Sequence, residues 1–161
     1  MYLNRAYSTM AQYNKGLQGE FIYESWLIDH NIPFRRATKE EDYTLKHDFY
    51  ITREKEYSIA VKNNYNGDCN TVVVEMKQLM TPVESFPKAW IDHDVDYIAF
   101  IVNDEVYHVK QSVLKIWMTV NGWKFKTYDR AQSRFKGSYR IDFVPLPDLM
   151  DIITKKTELV Y

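Results

Sequence analysis

An α/β sandwich around a mixed β-sheet is the fold class predicted by three features of the sequence. Two stretches, His47 to Thr52 and Tyr57 to Asn63, flank the charged turn Arg53-Glu54-Lys55-Glu56 in the manner of a β-hairpin. The run from Asp96 to Val102 is nearly continuous in apolar residues, which suits a strand buried on both faces at the centre of a sheet. Helical spacing brackets these strands, near residues 15–30 and again near 112–120. The 161 residues set one domain and one core. With 45% hydrophobic and 27% charged residues, the long disordered and collagen-like classes are excluded.

Taken in order, the first element is a helix from about Lys15 to His30. Leu17, Phe21, Ile28 and the pair Ile22 and Trp26 recur at helical spacing, and Asn31-Ile32-Pro33 stops it. Gly16 and Gly19 in its opening turn mean either that backbone approaches something closely or that the helix starts late; both readings put Glu20 near the helix start. Phe34 to Ala37 reads as a short strand and Thr38 to Asp42 as a solvated loop. After the hairpin, Asn66-Gly67 suits the positive φ values of a tight turn, so Thr71 to Lys77 is expected as a third antiparallel strand in sequence. Residues 78–94 carry Pro82 and Pro87 and wrap loosely, with one helical turn near Trp90. Asn103-Asp104 turns the buried strand back into Val106 to Val109. Ser112 then caps a helix to about Val120, with Val113, Ile116, Trp117 and Val120 facing inward. A strand near Tyr139 to Val144 and a last helix opened by Pro147 complete the order.

Composition narrows the setting. Twenty-one Lys and Arg against 22 Asp and Glu leave a formal charge of -1, so no global positive field attracts nucleic acid, although a local patch can. The single cysteine, Cys69, forms no intrachain disulfide and fits no zinc spacing, which favours a reducing, cytoplasmic compartment. It has no histidine near it in sequence, so it is not read as a thiol nucleophile. No apolar run approaches a membrane span, and the first residues are too polar for a signal peptide. His47, His93 and His108 show no close metal-ligand spacing, and Asp92-His93-Asp94 reads as a solvated turn. The 16% aromatic content, led by thirteen tyrosines, fits either base-stacking surfaces or a tyrosine-rich packing style.

Three segments carry the chemistry: Gly16-Leu17-Gln18-Gly19-Glu20 on the first helix, His47-Asp48-Phe49-Tyr50-Ile51 on the next strand, and Ser58-Ile59-Ala60-Val61-Lys62 on its partner. Over roughly residues 15–102 the chain resembles the PD-(D/E)XK nuclease superfamily, including its restriction-endonuclease-like and Holliday-junction-resolvase branches. In that superfamily a helical Glu, an Asp on the first hairpin strand and an acid-x-Lys on the second surround Mg²⁺ beside the scissile phosphate. Glu20, Asp48 and Lys62 fall on the matching positions. The resemblance implies a restriction-endonuclease-like, three-layer sandwich spanning 1–161 as a single nuclease-like domain. It implies a phosphodiester hydrolase, endonuclease or exonuclease, acting on DNA with Mg²⁺ or Mn²⁺. The small size fits a phage or mobile-element enzyme, or a resolvase that forms a homodimer. Carboxylate oxygens suit a hard cation that keeps its waters, and a neighbouring ammonium can orient the attacking water and offset charge on phosphorus.

The chain departs from the pattern at Ala60, where the motif has an acid. If the turn centres on Asn66-Gly67, Val73 pairs with Ala60 and Glu75 with Ser58, which puts Glu75 diagonally beside Ala60 on the lysine side as a migrated third ligand. A competing register takes Glu75-Met76-Lys77 as the acid-x-Lys motif, with a whole strand between its two halves. Simpler roles stand beside these: Glu20 as a dipole-stabilised helix acid, Asp48 as an edge-strand acid and Lys62 as a solvated strand residue. The segment from Trp123 to Arg140 is the best nucleic-acid footprint. Lys124, Lys126, Arg130, Arg134, Lys136 and Arg140 face one acid there, Asp129, for a local charge of +5, interleaved with Tyr128 and other aromatics. Its plainer reading is strand-loop-strand with solvated cations. Set against the nuclease is a catalytically inactive protein of the same fold that binds nucleic acid or another protein, with Ala60 as the trace of a lost metal site.

Overall fold

The computed structural model describes the backbone of residues 2–63, 70–79, 90–131, 137–155 and 159, and the side chains of 15–63, 70–76, 90–122, 124–125, 142–155 and 159. In chain order the elements are α1 (Tyr2–Asp29), β1 (Phe34–Arg36), α2 (Lys39–Leu45), β2 (Phe49–Thr52), β3 (Glu56–Asn63), β4 (Thr71–Leu79), β5 (Tyr97–Val102), β6 (Glu105–Lys110), α3 (Gln111–Asn121), β7 (Lys126–Ala131), β8 (Gly137–Pro145), α4 (Leu146–Leu149) and β9 (Ile153–Thr154). A single helical turn, Trp90–Asp92, precedes β5, where one is expected.

These strands form two sheets. The larger is mixed, in the order β1-β2-β3-β5-β6-β9, and the smaller is antiparallel, in the order β4-β8-β7. The expected hairpin is present as β2 and β3, with Phe49 opposite Ile59 and Thr52 opposite Glu56. All six residues of β5 are buried, and it runs parallel to β3 and antiparallel to β6 in the middle of the sheet. Asn103 and Asp104 adopt φ of 52° and 61°, the left-handed pair of a tight β5–β6 hairpin.

Each face of the large sheet carries its own core. On one face Tyr23 and Leu27 of α1 pack with Phe49, Ile51, Ile59, Ala99 and Ile101. On the other, Ile98, Phe100 and Val109 pack with Leu114 and Met118 of α3 and with Val72, Val74 and Val144 of the small sheet. A mixed α/β architecture is therefore correct, and the alternation of Ile98 and Phe100 against Ala99 and Ile101 shows why β5 reads as an unbroken apolar run.

Several expectations are corrected. Strand β4 is not a third neighbour of the hairpin, because the free edge of β3 is taken by the wholly apolar β5 and β4 pairs with β8 instead. Val73 is thus opposite Phe143 and Glu75 opposite Ile141, and the register of Val73 with Ala60 and of Glu75 with Ser58 does not form. The turn at Asn66-Gly67, and Cys69, lie outside the described residues. Thr38 to Asp42 is not a loop: Thr38 and Glu41 form a reciprocal capping box that starts α2. Ser112 is not a cap, since α3 opens at Gln111 with Lys110 in the N-cap position. Its inward face is Leu114 and Met118, while Val113, Ile116 and Val120 are exposed.

Helix α1 begins far earlier than Lys15, so Glu20 lies in its interior and the macrodipole reading of that acid loses its basis. Leu17, Phe21 and Ile28 are exposed, and the buried stripe is Gly19, Tyr23 and Leu27. Gly19 decides between the two faces. A Cβ built on it would meet the Asn63 Cβ at 2.6 Å, whereas one at Gly16 meets nothing within 4 Å. Gly19 therefore lets α1 lie directly on β3, where Asn63 Nδ2 donates to the Lys15 carbonyl at 2.9 Å. Gly19→Ala should destabilise the fold by about 1–3 kcal/mol, the usual cost of forcing extra atoms into a packed contact, while Gly16→Ala should be neutral or stabilising. Urea unfolding of the two variants checks this, and equal midpoints would contradict it.

Candidate functional site

The hairpin places Asp48 and Lys62 together for reasons of backbone geometry. Asp48 stands just before β2, where its N–H donates to the Ile59 carbonyl and its own carbonyl accepts from the Ala37 N–H, each at 2.9 Å. Its side-chain Oδ2 accepts the Val61 N–H at 2.7 Å, which pins the carboxyl beside the strand residue that precedes Lys62. Ala60 and Lys62 alternate onto the β3 face that meets the small sheet, with Lys62 opposite Phe100 of β5.

Electrostatics couples several of the candidate residues. Burial raises the Asp48 carboxyl above its usual range; the Val61 N–H and the Lys62 ammonium pull it back, and Asp42 adds further upward pressure. Burial also raises Glu20, and the charge of Asp48 is the next cause, partly offset by Arg36. The Lys62 amine is pushed down by burial, while Asp48 and then Glu75 favour its charged form. The charges thus run as a chain, with Asp48 acting on Glu20 and both Asp48 and Glu75 acting on Lys62. Lys62 is not a solvated strand residue, and Asp48 is not a plain edge acid.

The two ends of that chain have partners of their own. Arg36 lies 3.5 Å from Glu20 and also binds Glu24, which restrains the Glu20 side chain from the β1 end. Glu75 arrives from a different sheet than expected, and its Oε1 accepts the Trp90 N–H at 3.3 Å. The Trp90 ring centroid is 5.3 Å from the Lys62 Nζ. Because β4 pairs with β8 rather than with β2 or β3, Glu75-Met76-Lys77 does not supply the partner strand of the competing register. Ala60 is buried in the cluster it shares with Val72 and Val74, so the departure from the acid is filled by packing.

Sequence reasoning missed Arg36, Asp42 and Trp90. Asp42 was within reach: Thr38 followed by Glu41 is a capping-box spacing, and the helix it starts carries Asp42 toward Glu20 and Asp48. Trp90 gives no such signal, since its contact with Lys62 depends on a crossover between sheets.

Among the described residues no three His, Cys, Asp or Glu side chains could enclose a metal ion by themselves. The donor set present is the pair Glu20 and Asp48: hard oxygens, both raised by burial and Glu20 further by the charge of Asp48, a state that a cation between them relieves. One or two carboxylates completed by water and substrate phosphate is the usual environment of Mg²⁺, so the pair fits that ion. His47 is held by Tyr50 Oη at 2.7 Å and by the Asp94 carbonyl at 2.6 Å, which gives it a structural place.

The basic aromatic segment contributes β7 and β8, an antiparallel pair, to the small sheet. Lys124 is exposed and donates to Asn121 Oδ1 at 3.0 Å. The side chains of Lys126, Tyr128, Arg130 and Arg140, and all of Arg134 and Lys136, lie outside the described residues. Among the described residues no helix is long and apolar enough to cross a membrane. No family model matches the chain, and no curated protein or solved structure matches it.

Proposed function

We propose that this protein is a Mg²⁺- or Mn²⁺-dependent deoxyribonuclease of the PD-(D/E)XK kind. The observation that supports the reading is the placement of Asp48 and Lys62 on neighbouring strands of the hairpin, where Asp48 Oδ2 accepts the Val61 N–H at 2.7 Å and each charge favours the other's ionised form, with the Asp48 charge also reaching Glu20 on α1. Opposed shifts in a carboxyl and an amine that act on one another are common at functional sites. Glu20 and Asp48 would hold the divalent ion, which when bound supplies Lewis-acid polarisation of the phosphate and a more acidic water. Lys62 holds an ammonium beside the carboxyls, placed to orient a nucleophilic water and to neutralise charge developing on the phosphoryl oxygens. Arg36 keeps Glu20 turned toward the site. The test is incubation of purified protein with duplex, branched and single-stranded DNA in Mg²⁺ and in Mn²⁺. Absence of cleavage of all three in both metals rejects the enzyme.

One observation favours the second reading, an inactive nucleic-acid-binding or protein-interaction module of the same architecture. Ala60 contributes packing where an acid belongs, which leaves two carboxylates rather than three. Under either reading the DNA-binding surface is assigned to Lys124, Lys126, Tyr128, Arg130, Arg134, Lys136 and Arg140. Replacing Arg130, Arg134 and Lys136 by alanine should make the slope of log K against log salt shallower by about 0.7–0.9 per lost phosphate contact. An unchanged slope in a folded triple variant would place DNA elsewhere.

A further inference from the structure

Glu75 joins the site by a contact that metal ligation does not account for. Its carboxylate accepts the Trp90 N–H at 3.3 Å, which fastens β4 to the turn Trp90–Asp92. The same turn is fixed elsewhere: Ile91 is buried and its carbonyl accepts from the Gln111 side chain, and Asp92 pairs with Lys115 at 2.7 Å. The Trp90 ring stands edge-on to Phe100, with centroids 6.1 Å apart and planes at 70°. Phe100 is the register partner of Lys62 across the β3–β5 pair. The indole is thus held by its own turn, by β4 and by β5, and the Lys62 ammonium sits 5.3 Å from its ring centroid.

We infer that Glu75 and Trp90 are positioning residues for Lys62: Glu75 anchors the turn, and the ring carried by that turn caps the ammonium and fixes where it points. A lysine side chain is a flexible four-carbon stem ending in a point charge, so by itself it holds no single position. The face of an indole attracts a cation, most strongly where water is excluded. The charges of Asp48 and Glu75 favour the protonated amine and oppose the downward pull of its burial. The role of this clamp in cleavage rests on the reading of Lys62 as the catalytic cation; the clamp itself is a property of the fold and is measured separately.

Lysine-labelled protein read by NMR provides the test. In the wild type the Lys62 Hε resonance is expected upfield of the other lysines, because it lies over an indole face. Glu75→Gln keeps an acceptor for the Trp90 N–H, so the upfield shift persists while the ammonium titrates at lower pH for want of the neighbouring charge. Glu75→Ala releases the turn and reduces the shift, and Trp90→Leu, which keeps much of the bulk, abolishes it. Mn²⁺ affinity should stay within about twofold in Glu75→Gln; a tenfold loss, as expected for a ligand or its close support, would overturn the assignment. A Lys62 Hε shift unchanged in Trp90→Leu, or in Glu75→Ala, would overturn it equally. If the wild type shows the clamp by NMR but cleaves no DNA, the nuclease reading falls and the clamp stands. If it cleaves, Trp90→Leu should lower kcat about tenfold and leave KM for DNA unchanged.

Discussion

Asp48→Asn and Lys62→Met are each expected to lower metal-dependent DNA cleavage by at least about 100-fold, the scale on which preorganised electrostatic groups act. Both substitutions preserve shape. The amide oxygen introduced by Asp48→Asn can still accept the Val61 N–H that now bonds the carboxylate at 2.7 Å, and methionine fills the volume of the lysine stem beneath Trp90. Stability separates a working site from a structural ion pair. The Asp48 carboxyl is raised and the Lys62 amine lowered in the folded chain, so each is more easily kept neutral there than in the unfolded chain. At neutral pH each charge offsets the burial of the other, so a single substitution leaves its partner less compensated, whereas the double variant Asp48→Asn, Lys62→Met removes both and should leave Tm unchanged or raised. Activity lost with stability kept is the signature of a site residue. A clear drop in Tm for the double variant would instead make the two residues structural elements, and DNA cleavage surviving both changes would remove the site altogether.

The parts of this fold that were legible were those whose signal is local. Strand β5 announced itself because burial on both faces leaves no polar alternation, and the β2–β3 hairpin because charged residues interrupt two strand-like runs. Asp48 and Lys62 were found together for the same reason: a hairpin fixes cross-strand neighbours over a few residues. What failed was choice between partners that sequence presents as equal. Strand β4 can pair with β3 or with β8, and only the tertiary competition of β5 for the β3 edge decides it. Helix α1 offers two apolar stripes, and Gly19 selects the one that omits Leu17, Phe21 and Ile28. Glu75 was expected beside Lys62 and is sensed by it, but through the small sheet and the Trp90 turn rather than through the expected register.

The second large effect expected is on stability in mild acid, and its carrier is His108. This imidazole is buried on the α1 side of the large sheet, where Nε2 lies 2.8 Å from the Tyr23 hydroxyl and the rings of Trp26 and Tyr97 lie 5.1 and 6.5 Å away. Burial holds its pKa down to about 3, so it is neutral in the folded chain, with Nε2 hydrogen-bonded to the Tyr23 hydroxyl. Above the ordinary value of 6.5 both folded and unfolded chains carry a neutral ring, and pH has no effect through this group. Between 6.5 and about 3 the unfolded chain binds a proton that the folded chain refuses, so stability falls as pH falls. The slope approaches about 1.4 kcal/mol per pH unit, and the total reaches a few kcal/mol in a fold whose whole margin is roughly 5–15 kcal/mol. The carboxylates of Glu41 and Glu56, held low by Arg35, lose their stabilising charge only further into acid, and raised Glu20 and Asp48 act in the opposite sense. The raised carboxyls begin to titrate in the same interval, so the share of the histidine from about pH 6.5 to about 4.5 is the difference between the wild type and a variant without the imidazole. Urea denaturation across that interval should show stability falling more steeply with falling pH in the wild type than in the double variant Tyr23→Phe, His108→Phe, which keeps two packed rings and leaves no hydroxyl without a partner. Parallel profiles for the two proteins would mean that the buried ring accepts its proton in place.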